Sequence, residues 1–257
     1  MSEFINSIIA SITATLIMQP LDVIRTQYQI NISKSDNNIN NIYKNIIKQQ
    51  GIKGFYKGTT SHLLTYPIFW AIFFQTKQYD FTLSKNKVAN NILSSLLSGT
   101  IASTIANPLF VLKIRKQSEI LHGSKNNNYM NLVSKIYIKE GIFGFLKGMN
   151  VTIFNNFKLG IQFPIFDYLM EKTNKNIFLS SIVSKLIATS IFYPSDIIRT
   201  LQRDSIEKIT SKEIIKKIYK LNGLSGFYRG LLLHNIVSGP NFILMMFIKT
   251  KLEKFIY

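Results

Sequence analysis

PLDVIRTQYQ at 20–29, PLFVLKIRKQ at 108–117 and PSDIIRTLQR at 194–203 are one phrase written three times. Their prolines, Pro20, Pro108 and Pro194, lie 88 and 86 residues apart, and each is followed five residues later by a base: Arg25, Lys113 and Arg199. A second phrase lies downstream of each, QGIKGFYKG at 50–58, EGIFGFLKG at 140–148 and NGLSGFYRG at 222–230. Its glycine pairs, Gly51/Gly58, Gly141/Gly148 and Gly223/Gly230, keep one spacing of seven. Ten and six residues before each proline stand Ala10/Ala14, Ser98/Ala102 and Ser184/Ala188. Small residues four apart give a helix a face that a neighbour can approach closely inside a membrane. Three phrases in register, three times over, are an internal repeat rather than chance self-similarity.

Each repeat reads as a long apolar helix kinked at its proline, a polar connection with a short amphipathic helix, a glycine turn and a second apolar helix. The amphipathic helices are expected over 41–50, 130–140 and 211–221, and the apolar stretches run near 4–20, 61–76, 88–112, 149–170, 177–199 and 231–248. Those stretches are studded with Ser, Thr, Asn and Gln, which suits spans lining a wet cavity. The expected fold is an all-α membrane protein: six transmembrane helices in three pseudo-symmetric repeats (1–86, 87–174 and 175–257) with three short amphipathic helices, all in one domain over 1–257.

The chain of 257 residues carries a net charge of +18 with 46% hydrophobic residues. Such a charge suits a nucleic-acid binder, a protein on an anionic membrane, or a transporter of anions. The wealth of Asn, Ile and Lys is that of an AT-rich genome, a protist's or that of a virus infecting one. There is no cysteine, which removes disulfides, thiol catalysis and Cys-based metal sites. With only His62, His122 and His234, scattered along the chain, no metal site is expected. Nothing clusters a nucleophile with a base, so the chain does not read as an enzyme. The first twenty residues have the pattern of neither a secretory signal nor a transit peptide.

The paired phrases closely resemble the signature of the mitochondrial carrier family, P-x-[DE]-x-x-[KR] and then [DE]-G-x-x-x-x-aromatic-[KR]-G, and the resemblance covers the whole chain. It implies a single carrier domain in the mitochondrial inner membrane, both termini on the outer side, and alternating access to one central site. In the family the acid of one repeat meets the base of another. Carried over, this pairs Asp22 with Lys113 and Asp196 with Arg25. Phe110 stands at the third acidic position, which leaves Arg199 without a matching partner in this expectation. Gln29 and Gln117 fall where the family has a bracing glutamine, and Arg203 takes that place in the third repeat. Of the outer gate pattern only Phe166-Asp167 is kept; Gln78 and Thr250 stand where the other acids belong, with Asp80, Glu171 and Glu253 as nearby substitutes.

The resemblance also implies bound cardiolipin at the glycine turns, with Gly51, Lys57, Gly58, Gly141, Lys147, Gly148, Gly223, Arg229 and Gly230 as the positions carried over. Backbone N–H groups at a helix start favour phosphate, while the same glycines also serve as caps and turns. Gln50 and Asn222 replace the acid before glycine in two repeats.

Substrate contacts in the family lie midway along the even-numbered helices, here near Thr65, near Asn155 and Asn156, and near Ser238. Lys158 stands beside them and Lys185 lies inside the fifth helix, where an ammonium is costly unless it faces water or an anion. No acid stands midway along the even helices to hold a substrate ammonium, which favours anions. NPLFVLK at 107–113 is similar to the nucleotide, folate and flavin branch, which often has an aromatic in this place. The substrate is therefore expected to be a nucleotide (ATP, dATP or another NTP or dNTP), its base met by Tyr66, Asn155 and Asn156 and its phosphates by Lys158 and Arg199, handled by a monomer in exchange. The alternatives are another anion, such as phosphate, a carboxylate or a folate-like cofactor, and, in a different class, a basic nucleic-acid-binding protein, which salt alone would extract.

Overall fold

The computed structural model describes residues 2–32, 38–77, 86–121, 128–174, 176–240 and 242–243, and these contain helices and turns but no strand. The first repeat has α1 (Ser2–Ile30), α2 (Ile39–Gln50) and α3 (Thr59–Lys77). The second has α4 (Lys87–Ser118), α5 (Tyr129–Glu140), α6 (Met149–Asn155) and α7 (Phe157–Lys172). The third has α8 (Ile177–Asp204), α9 (Ser211–Asn222) and α10 (231–240). A 3-10 turn links each amphipathic helix to the next helix of its repeat: Ile52–Tyr56, Ile142–Leu146 and Leu224–Tyr228.

Helices α1, α4 and α8 each continue ten residues past their proline, to Ile30, Ser118 and Asp204. At 1.5 Å per residue they are about 42–48 Å long, more than the ~30 Å hydrocarbon core of a bilayer. Two helical stretches, Ala89–Ser118 and Ile177–Asp204, are long and apolar enough to cross on composition alone. α1 touches α4 and α8, and α4 touches α8, so the odd helices converge, while α3 packs on α4 and α7 on α4 and α8.

The pattern of burial is that of a protein with an apolar outside. Ile17, Ile105 and Ile191, each three residues before its proline, are 65%, 56% and 56% exposed, whereas Gln19 and Asn107, each one residue before, are fully buried. Apolar rims around a polar interior fit lipid, since exposed apolar area on this scale marks a membrane or partner surface in soluble proteins. Ser98/Ala102 and Ser184/Ala188 are buried as the close-approach faces require.

The amphipathic helices pack by the same rule in each repeat. Ile42 and Ile46, Leu132 and Ile136, and Ile214 and Ile218 bury four apart against the odd helix of their own repeat. A capping box starts α9: the Thr210 hydroxyl accepts from Glu213 N at 3.3 Å while the Glu213 carboxylate accepts from Thr210 N at 2.8 Å. Those hydrogen bonds hold the Glu213 pKa below its ordinary value. Each helix ends on a glycine, Gly51, Gly141 or Gly223, at φ of +62°, +66° and +61° with ψ beyond −150°, backbone that side chains other than glycine avoid.

The expected continuous apolar helix over 149–170 is corrected. It is divided at Asn156, whose amide side chain bonds sideways to α4, accepting from Ser103 Oγ at 3.2 Å and reaching Thr100 Oγ1 at 3.4 Å. The Asn156 carbonyl takes an i+3 bond from Leu159 N at 2.9 Å, a tightened turn between α6 and α7.

Candidate functional site

A polar peg stands one residue before each proline. Gln19 donates to the Lys57 carbonyl (3.1 Å), Asn107 to those of Phe145 (2.7 Å) and Lys147 (3.2 Å), and Tyr193 to that of Arg229 (2.8 Å). Each peg thus ties an odd helix to the start of the even helix in its own repeat. The second glycine of each phrase then meets the brace position of the next repeat. A Cβ on Gly58 would stand 3.1 Å from Gln117 Cγ, one on Gly148 3.2 Å from Arg203 Cγ, and one on Gly230 3.9 Å from Gln29 Cγ and 3.1 Å from the Tyr193 hydroxyl. Gly58, Gly148 and Gly230 combine positive φ with this close approach, so glycine is required twice over.

The three junctions between repeats carry the same motif and three different sets of bonds. Between repeats 1 and 2, Asp22 Oδ2 takes Lys113 Nζ and Gln117 Nε2, each at 2.9 Å, and Asp22 Oδ1 takes Arg25 Nη2 at 2.7 Å. The Gln19 amide donates through Nε2 to Lys57, so its Oε1 faces His62 Nδ1 at 2.8 Å and accepts the proton there. This places His62 3.8 Å from Asp22.

Between repeats 2 and 3, Phe110 takes the acid's place and its ring meets a cation: the Arg203 guanidinium carbon lies 4.7 Å from the ring centroid. Arg203 Nη2 also donates to Asn107 Oδ1 (2.7 Å) and Thr152 Oγ1 (3.2 Å). Between repeats 3 and 1 the brace position makes neutral bonds: Gln29 Nε2 donates to the Tyr193 hydroxyl at 2.9 Å, and Thr200 Oγ1 to Gln29 Oε1 at 3.4 Å.

Two gate expectations are therefore corrected. Asp196 does not pair with Arg25; its Oδ2 takes Lys158 Nζ at 3.1 Å, and its Oδ1 takes Arg199 Nη2 at 2.5 Å and Asn155 Nδ2 at 2.8 Å. Arg199 is consequently not left alone, because the carboxylate one turn before it on α8 is its partner. Arg25, without Asp196, forms an ion pair with Asp22 on its own helix and points Nη1 at His234 Nδ1, 3.3 Å away.

Asp196 sits within electrostatic reach of Arg25, Lys158, Lys185, Arg199 and His234, two arginines, two lysines and a histidine around its carboxylate. Among the described residues Lys185 makes no ion pair, and its ammonium lies 5.2 Å from the Phe242 ring centroid. Of the expected substrate contacts, the structure brings Asn155, Lys158 and Arg199 together on Asp196. Among the described residues Tyr66 makes no hydrogen bond to Asp196 but lies within electrostatic reach of it and of Arg199; its ring packs on His62 (4.8 Å) and edge-on to Phe110 (6.5 Å), with Lys113 Nζ 5.8 Å away. Thr65 and Ser238 are buried, their hydroxyls donated one turn back to the carbonyls of Ser61 and His234. Asn156 serves the contact with α4 described above. Asp167 and Glu171 are exposed on α7, and Gln78, Asp80, Thr250 and Glu253 lie outside the described residues.

At the glycine turns the lysines carried over for lipid have partners in the chain. Lys57 Nζ is 3.3 Å from Glu119 Oε2; burial lowers its pKa, against the pull of that carboxylate. Lys147 Nζ donates to the carbonyls of Ser205 (2.6 Å), Ile206 (2.7 Å) and Glu207 (3.1 Å) and pairs with Glu140 (2.7 Å). Arg115 grips Glu140 through both Nη atoms and donates to the Arg203 and Ser205 carbonyls at 3.0 Å. Burial raises the Glu140 pKa, but the hydrogen bonds from Arg115 and Lys147 outweigh it and hold the carboxyl below its ordinary value. Arg229 stacks over Tyr28, its guanidinium carbon 4.2 Å from the ring centroid. A cavity of about 390 Å³ opens beside Gly148, between Lys139 and Phe143 of the second repeat and Thr210 and Ser211 of the third.

Several of these residues carried a signal that the phrases alone did not bring out. Counted from the second glycine, His62, Thr152 and His234 all stand at the fourth position, and each contacts a gate base, acid or brace. At the tenth position stand Ile68, Lys158 and Pro240, so only the second repeat offers a cation there.

The sequence profile described as mitochondrial carrier protein matches the chain three times, over residues 1–81, 84–177 and 171–257. Mitochondrial substrate carrier family protein M of Dictyostelium discoideum is 26% identical over 98% of this chain and 94% of its own length. Nicotinamide adenine dinucleotide transporter 1, chloroplastic, of Arabidopsis thaliana is 27% identical over 86% of this chain and 81% of its own. Mitochondrial nicotinamide adenine dinucleotide transporter 1 of Saccharomyces cerevisiae is 26% identical over 82% and 65%. With three profile matches that span the chain, three helical repeats built on one plan and a polar interior inside an apolar rim, the chain belongs to the mitochondrial carrier family of solute transporters.

Proposed function

We propose that the chain exchanges an anionic nucleotide across the mitochondrial inner membrane, working as a monomer by alternating access to the cluster around Asp196. The observation that carries this reading is the charge balance: the side chains of Arg25, Lys113, Lys158, Lys185 and Arg199 face only two carboxylates, Asp22 and Asp196, among the described residues of the polar interior. Excess positive charge inside a low-dielectric span is unfavourable until an anion arrives. Relatives named as nicotinamide adenine dinucleotide transporters support the nucleotide class, since such a molecule joins bases to a pyrophosphate. Lys158 and Arg199 meet the phosphates, while Asn155 supplies a neutral polar contact. The cavity beside Gly148 suits a cardiolipin headgroup, with Lys139 and Lys208 in its lining to meet the phosphates, since Lys147 is already engaged within the chain.

The test is uptake of labelled ATP, dATP, NAD and inorganic phosphate into proteoliposomes, with and without unlabelled substrate inside. Uptake of a nucleotide that depends on preloading is expected. Exchange of phosphate or carboxylates with no response to any nucleotide would overturn the substrate class and leave the family standing.

A further inference from the structure

Asp196 is held by an ammonium, a guanidinium and an amide, all within 3.1 Å. Asn155 is itself fixed for this task, because its Oδ1 accepts from Ser195 Oγ at 2.7 Å and so turns its Nδ2 toward the carboxylate. An ammonium, a planar guanidinium fork and an amide are also the donors that a phosphate would use. The carboxylate stands where such an anion would stand, and the base expected to claim it, Arg25, is engaged by Asp22 and His234.

We propose that Asp196 is an internal counter-ion: in the empty carrier it occupies the place of the substrate's anionic group, and a substrate binds by displacing it from Lys158 and Arg199. This inference rests on the anion reading above and adds the group against which the substrate competes. An unpaired ammonium inside a membrane span is costly, so Asp196 stabilises the empty state. The same carboxylate lowers the affinity of any anion by the fraction of time it fills the site. A monoanion exchanges one charge for one and gains little. A pyrophosphate or triphosphate brings more charge than it displaces, so the competition selects for groups carrying two or more negative charges. Selectivity of this kind comes from an element that penalises the wrong ligand.

The experiment titrates the full-length protein in detergent with ATP, inorganic pyrophosphate and methanesulfonate, reading the ligand-induced rise in Tm. Wild type, Asp196→Asn, Asp196→Glu and Lys158→Met are compared. Removing the competitor is expected to bring the half-maximal ATP concentration of Asp196→Asn down by about tenfold, the scale of one close charge pair. Methanesulfonate should then shift Asp196→Asn but not wild type, Asp196→Glu should stay near wild type, and Lys158→Met should weaken ATP binding. If Asp196→Asn does not fold, wild type alone decides, because methanesulfonate binding as tightly as pyrophosphate would contradict the selection by charge. Unchanged or weaker ATP binding by Asp196→Asn, with wild type responding normally, overturns the inference while leaving the anion reading intact. A wild type indifferent to ATP and pyrophosphate alike overturns both.

Discussion

The junction between the first and second repeats and the junction between the third and first are written with the same motif and wired differently. In the first, Asp22 reaches across to Lys113 and is braced by Gln117. In the second, Asp196 turns to Lys158 and Arg199, and no ion pair crosses the gap among the described residues; Gln29 bonds Tyr193 and Thr200, and Arg25 reaches the His234 ring. The difference is traceable to one side chain. Lys158 stands ten residues after its glycine, where the other two repeats have Ile68 and Pro240, so only one even helix offers a cation that competes for a gate acid. A repeated motif therefore sets which groups meet at a junction, and its neighbours decide which of them bond.

The largest effect that breaks this comparison is expected from Lys113→Met, which strips Asp22 of its partner across the junction. Removing one member of a buried pair costs about 3–5 kcal/mol when the other charge is left alone, and here Arg25 and Gln117 stay with Asp22 and offset part of that loss. Its Tm in detergent should fall well below that of wild type, and Asp22→Asn combined with Lys113→Met should recover part of the loss. A smaller loss, about 1–2 kcal/mol, is expected for Arg203→Lys, which keeps the charge but loses the planar stacking on Phe110 and the fork toward Asn107 and Thr152. Tyr193→Phe should cost about 1 kcal/mol, because it removes the one hydroxyl that serves both Gln29 and the Arg229 carbonyl.

The smallest effect belongs to the surface clamp and shows itself in pH dependence. Glu140 has a pKa below the ordinary glutamate value in the folded protein, burial being outweighed by Arg115 and Lys147. Its contribution is complete above the ordinary value and is lost as pH falls through the lower folded one. The difference in Tm between wild type and Glu140→Gln should thus be constant near neutrality and vanish in acid. A difference that grows on acidification would contradict the clamp.

Much of the fold was legible because the repeat supplied three readings of each element. The amphipathic helices fall within two residues of their expected starts, since paired apolar residues at i and i+4 and a terminal glycine mark each of them. The bond between Asp22 and Lys113 followed from the family pairing. Asp196 did not, because its competing partner comes from an even helix of a different repeat, and motif spacing carries no information about that approach. The break at Asn156 escaped for a related reason: an asparagine in an apolar run reads as a cavity residue until its bonds to Ser103 and Thr100 are seen. The pegs at Gln19, Asn107 and Tyr193 differ in chemistry although their bonds are alike, which hid them from a search for identical letters.

The most direct test of the unequal junctions is a set of double-mutant cycles on Tm, using neutral replacements at Asp22 with Lys113, at Asp196 with Lys158, and at Asp196 with Arg25. Strong coupling is expected for the first two pairs, with clearly weaker coupling between Asp196 and Arg25, which interact only at a distance. Coupling between Asp196 and Arg25 as large as that between Asp22 and Lys113, with none to Lys158, would contradict the wiring described for the third repeat.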